Sequence, residues 1–134
     1  MRKQIKVERA KFVSGPTEPV VGASGDRKTL IFKLKNNTEW SFKRGCRVLS
    51  QFEDNSLASR FIEPVNFEIG DNIEGNCVFQ VVIDLKFKHF DSNLAEEAIK
   101  ELVNAHNGEA RLQVCGPRGS FFGDQMIFKF GLKI

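Results

Sequence analysis

A chain of 134 residues with a net charge of +3 is long enough for one domain and too weakly basic for charge alone to argue for nucleic acid. Hydrophobic residues at 41% and charged residues at 28% exclude a wholly disordered chain. The aromatics are thirteen Phe, one Trp and no Tyr, which loads a core and leaves few amphipathic rings for surface hot spots.

In chain order, residues 4–13 read as a first strand. Its basic residues split between faces, Lys3 with Arg9 and Lys11 on one and Arg2 with Lys6 on the other, which dilutes a cationic patch. Residues 14–26, with Gly15, Pro16, Pro19, Gly22 and Gly25, form a loop holding one short apolar stretch, Val20 and Val21. A second strand at 29–35 sets Leu30, Phe32 and Leu34 on one face, and residues 36–39 (Asn-Asn-Thr-Glu) supply turn chemistry just before Trp40. Residues 47–52 give a further strand, broken by Asp54, Asn55 and Ser56. Residues 62–69 are strand-like, with Pro64 marking an edge or a bulge.

Residues 77–87 make the clearest strand. Phe79, Val81, Ile83, Leu85 and Phe87 point one way, while Gln80, Asp84, Lys86 and Lys88 wet the other face. Periodicity changes at residues 92–106, where Leu94, Ala95, Ala98, Ile99, Leu102 and Val103 form one apolar stripe. Ser92 or Asn93 is placed to cap this single predicted helix and Gly108 to stop it. The chain then closes with Ala110, Leu112 and Val114 alternating, a Gly-Pro-Arg-Gly turn at 116–119, and Met126, Phe128, Phe130 and Leu132 alternating. About seven short strands with one helix describe a mainly β, two-sheet antiparallel sandwich spanning residues 1–134 as a single domain.

Chemistry-bearing patterns are sparse. His89 and His106 have no second ligand at metal spacing, no nucleophile elbow surrounds Ser14, Ser24 or Ser120, and the glutamates pair with nothing in sequence. The expectation is no catalytic residue, no metal, no cofactor and no small-molecule substrate. The 116–119 turn could be an anion nest carrying Arg118, although a hairpin turn explains the same residues. Cys46, Cys77 and Cys115 are odd in number, lack a Cys-x-x-Cys pair and each sit in an apolar run, which favours a reducing compartment. No apolar stretch reaches the roughly 20 residues of a membrane span and the N-terminus lacks a signal-peptide core, so a cytoplasmic protein without membrane insertion is expected.

Phe32-Lys-Leu-Lys-Asn36, then Trp40, then Gly108, Gly119, Phe122 and Gly123 at their intervals resemble the four-tryptophan domain. That is the Ig-like central domain of the Next-to-BRCA-one selective-autophagy receptors and their relatives. Of the four signature tryptophans only Trp40 is present. Phe32 stands at the first position, and Val114 and Ile127 stand at the third and fourth. The helix at about 93–105 falls where the family has a short loop.

The resemblance implies an Ig-like sandwich that binds a protein partner without catalysis, as the receptors' domain engages cargo. Trp40 either presents a flat apolar surface or plugs the end of the sandwich. Phe121 and Phe122 must face opposite ways in an extended chain, and the resemblance implies that Phe122, whose family counterpart precedes the glycine, is the structural one, which leaves Phe121 for contact. Trp40, Arg118 and Phe121 are therefore the candidate protein-binding residues. Phe32, Phe79, Val81, Ile83, Leu112, Val114, Phe122, Gly123 and Ile127 are the candidate structural core. Two other readings stay open: a structural subunit of a larger cytosolic or cytoskeletal assembly, and a small, weakly basic nucleic-acid binder.

Overall fold

Alternation along two long strands builds the first sheet. The computed structural model describes residues 10–102 and 108–134. In it, β3 (Arg27–Asn36) buries Leu30, Phe32, Leu34 and Asn36, and β6 (Val78–Lys86) buries Phe79, Val81, Ile83 and Leu85. The two strands run antiparallel with Leu30 opposite Ile83, Phe32 opposite Val81 and Leu34 opposite Phe79, so the apolar sets fall on one face. β1 (Ala10–Ser14) adds to the other side of β3, giving the order β1-β3-β6.

The second sheet has five strands in the order β2-β8-β7-β4-β5. They are β2 (Val20–Gly22), β4 (Arg47–Ser50), β5 (Asn66–Glu68), β7 (Glu109–Cys115) and β8 (Phe121–Leu132). Val48, Ala110, Leu112, Val114, Phe122, Met126, Phe128, Phe130 and Leu132 face inward from it. Phe32 of one sheet meets Phe128 of the other at 6.4 Å between ring centroids, so one core lies between the layers. The N-terminal run is shared: β1 belongs to the first sheet, and β2, past Pro16 and Pro19, pairs with β8 in the second. This is the expected mainly β, two-sheet sandwich. The β2–β8 pair is parallel, an exception to the otherwise antiparallel ladders.

Two helices occur where one was expected. The short α1 (Leu57–Phe61) is capped by Ser56, whose hydroxyl accepts from the Ser59 amide at 3.1 Å. Read from sequence, Asp54, Asn55 and Ser56 only interrupt a strand; a single turn is too short to show an amphipathic period. The second, α2 (Ser92–Leu102), begins with neither Ser92 nor Asn93 as cap. Asp91 takes that place, its Oδ1 accepting from the Leu94 amide at 2.8 Å and its carbonyl from the Ala95 amide. Ala95 and Ala98 are buried and Ile99 and Leu102 pack on the core, so most of the apolar stripe seals this domain. The end of the expected helix, with Val103 and His106, lies outside the described residues, as do Arg2, Lys3, Lys6 and Arg9. Among the described residues, no helix is long and apolar enough to cross a membrane.

Other expectations are corrected by the packing. Ile127 was expected in the core, yet it is 43% exposed, because Met126 and Phe128 on either side face inward and alternation turns Ile127 out. Cys77 is exposed just before β6, while Cys46 and Cys115 are buried; no disulfide joins them. The outer face of β6 is not wholly wet, since Val78 and Val82 stand on it at 56% and 41% exposure. Gly123 keeps its structural role for a backbone reason. Its φ is +78°, and a Cβ there would stand 2.6 Å from the Ala10 backbone. Three residues of β8 lie between Phe122 and Met126, where β7 has only Gln113 between Val114 and Leu112. That bulge receives β1: Asp124 Oδ2 accepts from the Phe12 amide at 2.8 Å.

Candidate functional site at the loop end

One side chain organises the end of the sandwich where residues 37–46, 69–77 and 116–120 meet. Asn36 closes β3 fully buried, the only buried polar residue among those described. Its Nδ2 faces the carbonyls of Trp40 at 2.7 Å, Ile73 at 3.1 Å and Glu74 at 3.1 Å. Its Oδ1 accepts from the Thr38 amide at 3.1 Å and the Thr38 hydroxyl at 2.7 Å. The Thr38 hydroxyl in turn accepts from the Trp40 amide at 3.2 Å. A buried amide satisfied on both ends fixes two loops at once, since leaving any of these groups unpaired in the interior would cost free energy. Asn36 meets the expected turn chemistry through its side chain, which accepts from the backbone two residues on, while among the described non-glycine residues positive φ falls on Asn55 and Asn76.

Apolar contacts continue the closure below this hub. Phe42 pairs with Ile73 across an isolated bridge, and its ring meets Phe79 at 6.0 Å and Phe122 at 5.2 Å, both edge-on. Phe42, two residues beyond Trp40, thereby joins the Trp40 loop to the closing hairpin. A second contact runs from Gly45 to Pro117, where a Cβ on the glycine would stand 3.3 Å from the proline ring.

Against this frame the three candidate binding residues take separate positions. Trp40 does not plug the sandwich. Its backbone is held on both sides by Asn36 and Thr38, and its side chain is turned outward, leaving the residue 50% exposed. The plug expected of it is supplied by Phe42, because the hub draws the Trp40 carbonyl inward and the indole away. Phe121 is exposed on the outer face of β8 while Phe122 is buried, as the opposed directions of neighbouring strand residues require. Arg118 is exposed at the hairpin tip. The turn itself is internally bonded: the Gly119 amide donates to the Gly116 carbonyl at 2.9 Å and the Gly116 amide to the Ser120 carbonyl at 2.8 Å. With those amides occupied and φ of +90° at Gly119, the residues serve a hairpin turn and not an anion nest. Topology brings the Trp40 loop and the Arg118 turn to one end, with Phe121 at its rim.

Elsewhere the surface offers less. An open groove of about 510 Å³ lies beside α1, lined by Gln51, Glu53, Arg60, Glu101 and Arg111 among others. Its arginines are already engaged, Arg60 with Glu101 at 3.3 Å and Arg111 with Glu109 at 3.5 Å and Gln125 at 3.2 Å. Among the described residues, no three His, Cys, Asp or Glu side chains converge as a metal site. Sequence reasoning missed the Asn36–Thr38 hub and the Phe42 plug. It also missed Val78 and Val82, although the run 77–83 is apolar everywhere except Gln80, more continuous than a strand with one wet face needs. No protein-family model matches this chain, and a search of curated proteins finds no match to it.

Proposed function

We propose that this domain is a non-catalytic protein-interaction module that grips a protein partner at its loop end, with Trp40 as the anchor and Phe121 and Arg118 beside it. The observation that carries this reading is a large aromatic side chain left half exposed on a backbone immobilised by a buried hydrogen-bond hub. Presenting such a ring from a rigid loop lowers the ordering cost of binding, and Trp and Arg are the residues that most often dominate interface energetics. That the partner is cargo, as in the autophagy receptors the sequence resembles, rests on that resemblance. A cytosolic setting accords with three cysteines that form no disulfide.

The test is capture of partners from cytosol by the wild-type chain and by Trp40→Ala, with thermal unfolding of both recorded alongside. Loss of the captured partner with a nearly unchanged Tm supports the loop-end site. Full retention of the partner by Trp40→Ala, and by Phe121→Ala, moves the binding surface elsewhere on the sandwich.

A further inference from the structure

The four outer strands of the two sheets differ in how they are protected. β2 and β5 have three residues each, and β5 follows Pro64 and carries Glu68. β1 is broken by an irregularity between Phe12 and Ser14, and its Phe12 amide is taken by Asp124. Short length, proline, charge and bulges are the usual means by which sheet edges avoid pairing with another chain. β6 has none of them over residues 78–82. It is nine residues long, regular in register against β3, and Val-Phe-Gln-Val-Val in sequence there.

The direction of its backbone groups follows from its hydrogen bonds. On the β3 side, the Cys77 carbonyl accepts from the Asn36 amide at 2.9 Å and the Phe87 amide donates to the Asp26 carbonyl at 2.8 Å. On the far side, the Lys86 carbonyl accepts from the Glu63 amide and the Lys88 amide donates to the Phe61 carbonyl, both at 2.9 Å. Backbone groups alternate sides along a strand, so odd residues bond β3 and even residues point away from it. The segment around α1 therefore occupies this edge at Lys86 and Lys88. Among the described residues, no strand pairs with Val78, Gln80, Val82 or Asp84 on that side.

We infer that the Val78–Asp84 edge of β6 pairs antiparallel with the same edge of a second copy of this chain, about a two-fold axis at Gln80, joining two three-stranded sheets into one. The outer-face sequence Val78, Gln80, Val82 reads the same in both directions, which is what an antiparallel self-pairing requires. With the axis at Gln80, each Val78 stands opposite the partner's Val82, and the two Gln80 amides face each other as mutual donor and acceptor. All of these are even positions, so each opposed pair exchanges two N–H···O bonds. An axis at Val82 would set Val78 against Lys86, whose edge is already held by Glu63. An axis at Val81 would set Val78 against Asp84, an apolar group against a charge. The Gln80 register also extends the exposed cluster of Val82 and its cross-strand neighbour Ile31 with the partner's Val78.

Sedimentation velocity on the full chain across a concentration series tests this, and the mass is expected to rise from one chain to two. Gln80→Pro removes only an amide that faces away from β3, so the fold should persist by circular dichroism while the dimer is lost. Gln80→Lys and Gln80→Glu each place like charges against themselves at the axis, and each alone should dimerise several-fold more weakly. An equimolar mixture of the two should recover the dimer. Trp40→Ala should dimerise as wild type does, which separates this edge from the loop-end site. The inference is overturned by a monomer at every concentration, by a dimer that survives Gln80→Pro, or by a charge mixture no tighter than its components. It is equally overturned by a dimer lost in Trp40→Ala, or by an edge that takes up only an extended strand from a different protein.

Discussion

The two ends of this sandwich are closed by opposite kinds of chemistry. At the helix end the closure is apolar: the Phe61 ring meets Phe90 edge-on at 5.2 Å, Ala95 and Ala98 are buried, and Ile99 and Leu102 pack on the core. The ion pair Arg60–Glu101, about half exposed on both sides, ties α1 to α2 and adds little in water. At the loop end the closure is polar at its centre, with Asn36 bonded to three carbonyls and to Thr38, and the aromatic Phe42 beneath it. Apolar closure hides its aromatic rings. Polar closure holds the backbone and leaves an aromatic facing water. A closure that only seals and a loop that presents an aromatic side chain are thus separable in one small domain.

The largest effect should come from the sealed end. Phe61→Ala empties an almost fully buried site beneath α2 and is expected to destabilise by about 3–5 kcal/mol in urea unfolding. A cost near zero would mean that α1 and α2 decorate the sandwich without closing it. The effect at the loop end should be next in size. Asn36→Ala removes one donor from the Trp40, Ile73 and Glu74 carbonyls, each of which keeps another, and takes the acceptor from the Thr38 amide, at about 2 kcal/mol. Because Trp40 is the sole tryptophan, its fluorescence reports this end alone. In Asn36→Ala the fluorescence transition should precede the circular-dichroism transition, and coincident transitions would show that the hub is not a local unit. The smallest effect is expected for Trp40→Ala, about 1 kcal/mol, between the values for surface and core changes. A loss as large as that of Phe61→Ala would return Trp40 to the core and erase the contrast between the ends.

The helix that falls where the resembled family has a short loop is part of the seal. Its stripe was legible because Leu94, Ala95, Ala98, Ile99 and Leu102 recur at helical spacing, yet spacing does not say what a stripe covers. The packed structure shows Ala98 inside the core and leaves Leu94 outside. Trp40 and Ile127 were misplaced for another reason. Both stand at signature positions of the resembled family, but the face of Ile127 is set by its place between Met126 and Phe128, and that of Trp40 by where its loop's carbonyl is drawn. For Phe121 and Phe122, adjacency in an extended strand required that they diverge, and the position of Phe122 before Gly123 in the resembled family chose which one is buried. Among the fold's features, that divergence depends least on context.

By itself the sequence determined the two-sheet β architecture, the inward sets of β3, β6, β7 and β8, the closing hairpin and the main helix, since periods of two and 3.6 residues are local properties of the chain. Only the tertiary structure decided that β1 and β2 part between sheets, that Asn36 is a buried hub holding Trp40 outward, and that among the described residues no strand pairs with the outer edge of β6 at Val78–Asp84. Each of these depends on partners more than twenty residues away or on the lack of one. Hydrogen bonds such as Asn36 to Glu74 and Phe12 to Asp124 join residues that no local pattern relates.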